Sequence, residues 1–291
     1  MSSRHPGSHE LGQNFLVDRA VVDRVVALVR RSPGPIFEIG PGEGSLTLPL
    51  ERLNRRITAV ELDPRLADRL SARVGSRTTV RHGDALRVPV PAGTRVVVGN
   101  LPFHVTTAML RSLLESARWS EAVLIVQWEV ARRRAAVGGA TLMTAEWWPW
   151  FEFALEQRVP ARAFRPRPSV DGGLLTISRR SAPLVPPARR TAYRRFVRAV
   201  FGGRGRGLAA IAERLVAPEQ RAIVVAWLAG EGLGRGALPR DLTAAQWATL
   251  FGLAVPVRGG TRPSRSEPGR DATPAPPRAP MRRARKQGRR P

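Results

Sequence analysis

Cysteine is absent from the 291-residue sequence. That excludes disulfides, thiolate metal sites and cysteine nucleophiles. Histidine is scarce, and its four copies, His5, His9, His82 and His104, show no ligand spacing such as HExxH, so a metal site is not expected. No run of about 18 apolar residues occurs, which argues against a membrane span. Residues 1–6 lack the apolar stretch of a secretory signal. Acidic residues are outnumbered, 23 Asp and Glu against 48 Lys and Arg, for a formal net charge of +25. The only lysine is Lys286. Coding bias in a G+C-rich genome accounts for arginine over lysine but not for the net charge. Such a charge favours a polyanionic partner, most often nucleic acid, and arginine both forks onto phosphate and stacks on bases.

Apolar residues make up 43 % of the chain, enough to bury the core of one large domain or two smaller ones. Residues 1–9 read as a short disordered lead. From about Glu10 to Arg180 amphipathic and β-rich segments alternate. Val21, Val22, Val25, Val26, Leu28 and Val29 recur at helical spacing. Strands are expected at 36–39, 57–60, 78–80, 95–98 and 122–126, with helical patterns between most of them. Strands separated by helices imply a parallel sheet with right-handed crossovers, an α/β fold. Residues 151–155 and 174–178 add a final antiparallel pair. A Pro-rich stretch at 181–187 reads as a linker, and 188–255 shows only helical patterns, a small all-helical domain. From Pro256 apolar residues nearly vanish, and eleven basic residues face two acidic ones. This tail, 256–291, cannot order itself on apolar burial; it is either an unselected extension or a nonspecific RNA-binding arm.

Glu38-Ile39-Gly40-Pro41-Gly42-Glu43-Gly44 follows a strand and precedes a helical segment. Such a turn alone serves a dinucleotide, a nucleoside or nothing but the turn. Its spacing is G-x-G-x-G, not the G-x-G-x-x-G of a pyrophosphate loop. Glu61, about twenty residues on, ends the next strand, where a carboxylate can accept both ribose hydroxyls. Gly83-Asp84 follows the third strand, where a carboxylate can accept an adenine exocyclic amine. Together they describe a pocket for adenosine without phosphates, with S-adenosylmethionine ahead of a nicotinamide cofactor. Upstream, residues 11–16 lead into the first helix, with Asn14 or Asp18 as its cap.

Asn100-Leu101-Pro102-Phe103 follows the fourth strand, at the sheet end where ligands bind. By itself it reads equally as an Asn-Pro turn with Phe103 in the core, or as a site for an amine nucleophile. In the second reading the Asn100 side-chain oxygen and the Leu101 carbonyl accept the two hydrogens of an adenine amine and help it pyramidalise. Pro102 stiffens the loop, and Phe103 offers a face for base stacking. The set Leu11-Gly12-Gln13-Asn14-Phe15-Leu16, the glycine loop, Glu61, Gly83-Asp84 and Asn100-Leu101-Pro102-Phe103 stands in the order found in ribosomal RNA adenine N6-methyltransferases. Phe164-Arg165-Pro166-Arg167-Pro168-Ser169-Val170 matches that family's F-x-P-x-P-x-V element. The resemblance covers roughly residues 10–180 and extends loosely through the helical part. Residues 127–132, 138–143 and 147–153, with the basic tail, look like the Erm branch, which modifies one adenine in the peptidyl-transferase region of 23S RNA and confers macrolide–lincosamide–streptogramin B resistance. The alternative branch dimethylates small-subunit 16S RNA during ribosome assembly.

The resemblance implies a Rossmann-like, S-adenosylmethionine-dependent methyltransferase sheet with a helical C-terminal domain that contacts RNA. It implies cofactor contacts from Gln13, Asn14, Leu16, Gly40, Gly42, Glu61, Leu62, Asp84, Ala85 and Asn100. The catalytic set would be Asn100, Leu101, Pro102 and Phe103, with Phe164 on the other side of the target base. Many members carry Tyr where this chain has Phe103, so stacking survives and a phenolic role does not. Arg111, Arg118, Arg132, Arg133, Arg134, Arg162, Arg165 and Arg167 are candidate phosphate contacts. The expected setting is a cytoplasmic monomer acting on 23S rRNA before full ribosome assembly, with no metal and no membrane.

Overall fold

The computed structural model describes residues 14–234 and 236–256. Gln13, the 1–9 lead and all of the expected tail beyond Pro256 lie outside them. The chain opens on a two-residue strand, β1 (Phe15–Leu16), and a helix, α1 (Arg19–Arg30). Asp18 is the cap that starts α1, its side chain accepting from the amides of Ala20 and Val21, which satisfies donors the helix cannot. The six valines and leucines that set the helical period are all buried on one face.

The main sheet is built from β2 (Ile36–Ile39), β3 (Ile57–Glu61), β4 (Thr78–His82), β5 (Val96–Asn100) and β6 (Glu121–Gln127). These five pair in parallel in the order β4-β3-β2-β5-β6. Helices α2 (Thr47–Glu51), α3 (Pro64–Ser71) and α4 (Thr106–Glu115) provide three of the crossovers; β4 passes to β5 through turns alone. β2, β5 and β6 are nearly continuous apolar runs because helices cover both faces, whereas the edge strand β4 carries Thr79, Arg81 and His82 and is largely exposed. After α5 (Trp128–Arg134) and α6 (Leu142–Trp147) come β7 (Phe151–Val159), a two-residue β8 (Phe164–Arg165) and β9 (Gly172–Arg179). The expected antiparallel pair is β7 and β9, and β9 inserts between β6 and β7. The result is the α/β, Rossmann-like sheet that the sequence predicts.

The strand order reverses between β2 and β5, and such a switch point opens a crevice at the carboxyl ends of the strands. Gly99 permits a close approach there, since a Cβ on it would stand 2.7 Å from the Ile39 carbonyl. A second small sheet pairs β1 with β8, Leu16 against Phe164 and Phe15 against Arg165. It ties the N-terminal segment to the loop beyond β7, reinforced by Val17 N donating to Ala163 O at 2.8 Å.

Helices α7 (Arg190–Phe201), α8 (Leu208–Leu215), α9 (Pro218–Gly230) and α10 (Ala244–Ala254) complete the described chain. Their apolar faces join the same buried cluster as one face of the sheet, through Trp119, Trp147, Trp150, Phe151, Tyr193, Trp247 and Phe251. Trp150 and Phe251 each meet Tyr193 edge-on, at 5.4 and 5.2 Å. The Tyr193 hydroxyl donates to Ala145 O at 2.9 Å, so this buried phenol is satisfied. Burial raises its pKa above the ordinary tyrosine range. The 181–187 stretch lies along this core, with Val185 buried and Leu184 N bonded to Pro149 O.

Candidate active site

The crevice at the switch point is an open cleft of about 1020 Å³, solvent mouth included. Three strand ends supply its walls. β2 runs into Gly40, Pro41 and Gly42; β3 ends at Glu61, followed by Leu62; β5 ends at Asn100, followed by Leu101, Pro102 and Phe103. Gly83, Asp84 and Ala85 close it beyond β4, and Asn14 and Phe15 bound it from the N-terminal segment. Of the expected cofactor residues, Asn14, Gly40, Gly42, Glu61, Leu62, Asp84, Ala85 and Asn100 therefore share one cavity. The side chain of Leu16, a residue expected to contribute chiefly through its backbone, is 2 % exposed and packs in the core beneath α1.

The glycine loop has the geometry its composition predicts. Gly40 and Gly42 sit at φ +64° and +56°, where a Cβ is strained. A side chain on Gly40 would meet no protein atom within 4 Å; it would project into space that a ligand could use. Glu61 locks the loop to the sheet. Its buried carboxylate accepts from Gly42 N at 2.8 Å and from Asp63 N at 3.0 Å. Asp84 is half-buried, with one oxygen accepting from Leu86 N at 2.9 Å.

Asn100 carries the most informative bond of the site. Its Nδ2 donates to the main-chain oxygen of Asn14 at 2.7 Å. A carbonyl accepts only the NH2 edge of an amide, so the bond fixes the flip and turns Oδ1 the other way. Around it the loop is stiff. Leu101 N donates to Ile125 O of β6 at 2.9 Å, and Val105 N and Thr106 Oγ1 bond the Pro102 carbonyl. The half-buried Phe103 ring meets Phe164 edge-on at 6.4 Å. Phe164 itself is 0 % exposed and is absent from the cavity wall. The expectation that it covers the other side of a base is therefore corrected: with its ring enclosed, Phe164 offers no free face and braces Phe103 from behind.

The sequence reading missed Glu38. It is the penultimate residue of β2, two positions before Gly40, lines the cleft and is 1 % exposed. Burial, opposed by the Thr47 hydroxyl and reinforced by the Glu61 carboxylate, pushes its carboxyl up to about 8. Its Oε2 has no hydrogen-bond partner. An acid inside an otherwise apolar strand, Ile36-Phe37-Glu38-Ile39, is the signal that points to it. Met109, Val105 and His104 also line the cleft.

Six of the eight candidate phosphate arginines, Arg111, Arg118, Arg133, Arg162, Arg165 and Arg167, are exposed. No salt bridge is formed by these six among the described residues. Arg132 is half-buried and pairs with Glu129 at 3.2 Å. Burial pulls the Arg134 guanidinium down to about 10, and the charges of Arg133 and Arg111 add to that effect.

A mostly parallel sheet with a glycine-lined cleft at its switch point has the architecture of a nucleotide- or nucleoside-binding enzyme. Comparison with known proteins narrows that class. The family model for ribosomal RNA adenine dimethylases matches residues 4–253, and the chain belongs to that family. It is 48 % identical over 259 residues to the mycinamicin-resistance protein MyrB of Micromonospora griseorubida, spanning 89 % of this chain and 82 % of that one. It is 50 % identical over 215 residues to an rRNA adenine N-6-methyltransferase of Corynebacterium diphtheriae, 74 % of this chain and 85 % of that one. The crystal structure of the 23S rRNA methyltransferase ErmE matches with a TM-score of 0.76 at 33 % identity, covering 83 % of this chain and 99 % of that chain. The protein is thus an rRNA adenine N6-methyltransferase that uses S-adenosylmethionine. The cleft suits that cofactor: it keeps open space above Gly40, acceptors at Glu61 and Asp84, and an orphaned buried carboxyl oxygen on Glu38. Among the described residues no cluster of potential metal ligands occurs, and no helix is long and apolar enough to cross a membrane.

Proposed function

We propose that this enzyme methylates N6 of one adenine in the peptidyl-transferase region of 23S rRNA and thereby confers resistance to macrolide, lincosamide and streptogramin B antibiotics. For the chemistry, the supporting observation is the Asn14–Asn100 bond, which leaves Asn100 Oδ1 as an acceptor at the cleft. For the target, support comes from the likeness to a mycinamicin-resistance protein and to a 23S rRNA methyltransferase. The bound cofactor supplies an electrophilic methyl group. Asn100 Oδ1 and the Leu101 carbonyl accept the two hydrogens of the adenine amine, directing its lone pair at that methyl. As the N–C bond forms, the nitrogen becomes an acidic ammonium that gives its proton to water, so the site needs no strong base. Gly40, Glu61 and Asp84 hold the methionine, ribose and adenine parts of the cofactor. The target base must leave any stack to reach this cleft, and the exposed arginines hold its flanking phosphates. In this reading residues 10–180 carry the chemistry, 188–255 bear on RNA, and the enzyme acts as a monomer in the cytoplasm on 23S rRNA not yet fully assembled.

The reading is tested by expression in a macrolide-sensitive host. It predicts growth at erythromycin concentrations that stop the parent strain, with N6-methyladenine appearing in 23S rRNA. Unchanged sensitivity with unmodified 23S rRNA would overturn it.

Phe103 tests the base-stacking part. Stacking on an aromatic ring contributes roughly 1–3 kcal/mol. Phe103→Ala is therefore expected to lower kcat/KM for RNA about five- to 150-fold, and Phe103→Tyr to retain it. An alanine variant with native kcat/KM would remove Phe103 from the site.

A further inference from the structure

Glu38 has no task in the chemistry above. Its side chain is buried in the cleft wall, with Oε2 lacking any hydrogen-bond partner. Its surroundings offer little to hold a negative charge. From β3 it faces Glu61, a charge of the same sign. β5, alongside in register, contributes no titratable residue between Val96 and Asn100. On α2 the Thr47 hydroxyl favours the charged form, an effect that burial outweighs, and Glu43 of the glycine loop is exposed. A buried carboxylate without a cation is costly, and a proton relieves the cost. This fits a carboxyl raised to about 8, which is neutral below that pH. What would remove its proton is a cation in the same cavity. S-adenosylmethionine is one, and its product carries one positive charge fewer, because transfer turns a sulfonium into a thioether.

We propose that Glu38 senses this charge and discriminates the methyl donor from its product: binding of S-adenosylmethionine expels the Glu38 proton to solvent, whereas S-adenosylhomocysteine is held with the proton in place. The balance closes over a turnover. The protonated acid releases a proton when the cationic cofactor enters. When the sulfonium charge is lost, the carboxylate takes a proton back from solvent. The inference rests on the family's cofactor and not on which RNA is methylated.

The sign follows. Below about pH 8 donor binding must drive a proton off, so its affinity rises with pH, by at most tenfold per unit, and levels out above about pH 8. Product affinity does not share that rise. Calorimetric titration of the purified protein with each ligand, in phosphate and in Tris, counts protons released through the different ionisation enthalpies of the buffers. At about pH 7 we expect nearly one more proton released for S-adenosylmethionine than for S-adenosylhomocysteine. The ratio of their affinities should rise about tenfold over the next pH unit. Glu38→Gln, which mimics the neutral acid, should abolish the difference in proton count and flatten the ratio. The amino groups of the ligands titrate in both proteins, so comparison with the variant isolates Glu38. Equal proton release for the two ligands with the native protein, a measurement that needs no variant, would overturn the proposal. So would an unchanged difference in Glu38→Gln.

Discussion

Replacing Asn100 by alanine is expected to lower the methyl-transfer rate about 10²- to 10³-fold, the usual cost of removing one preorganised polar group aimed at a reacting centre. The amine of adenine is a poor nucleophile because its lone pair is delocalised into the ring, so the acceptors on its hydrogens matter most as it pyramidalises. That places the loss in kcat. Cofactor affinity should fall only a few-fold, since Glu61, Asp84 and the glycine loop remain. The structure adds a control. Asn100→Asp keeps an acceptor oxygen but cannot donate to Asn14 O, at present 2.7 Å away. It sets a carboxylate oxygen against a carbonyl and should also lose rate, with added disorder at residue 14. Single-turnover kinetics with excess enzyme separate rate from binding. Turnover unaltered in Asn100→Ala would contradict the assigned role.

Glu61→Ala is expected to weaken S-adenosylmethionine binding by about 10²-fold. Hydrogen bonds to a charged partner contribute about 1.5–3 kcal/mol each, and this carboxylate is at once the proposed ribose acceptor and the clamp on Gly42 N. Without it a buried amide loses its acceptor, and the loop, already at positive φ, loses its tie to β3. The effect should appear in the dissociation constant measured without RNA, and saturating cofactor should restore much of the rate. Native affinity in the alanine variant would mean that the ribose is held elsewhere.

Much of this architecture was legible in the chain. The five parallel strands announce themselves as short apolar or β-branched runs, and the glycines, Glu61, Asp84 and Asn100 stand at or just beyond their ends. Right-handed crossovers leave few arrangements of consecutive parallel strands, and the structure supplies the one adopted, β4-β3-β2-β5-β6. The β1–β8 ladder was not legible. Two-residue strands have no period, and nothing in Phe15-Leu16 points to Phe164-Arg165 across about 150 residues. That ladder sets how the side chains of Leu16 and Phe164 lie around the site. It turns Leu16 into the core, and Phe164, enclosed beneath Phe103, becomes a brace and not a wall of the cleft. It also anchors the segment whose Asn14 carbonyl orients Asn100, a long-range bond no local pattern encodes. The insertion of β9 between β6 and β7 was likewise open, since an antiparallel pair can join a sheet edge in either order. Glu38 was in plain view, yet its burial without a partner is a tertiary fact.

Methylation in vitro of protein-free 23S and 16S rRNA, with the modified nucleotide located by mass mapping, tests the central claim most directly. The account predicts methyl groups on N6 of a single adenine in the peptidyl-transferase region of 23S rRNA and none on 16S rRNA. Methyl groups on adjacent adenines of 16S rRNA, with 23S rRNA unmodified, would contradict it.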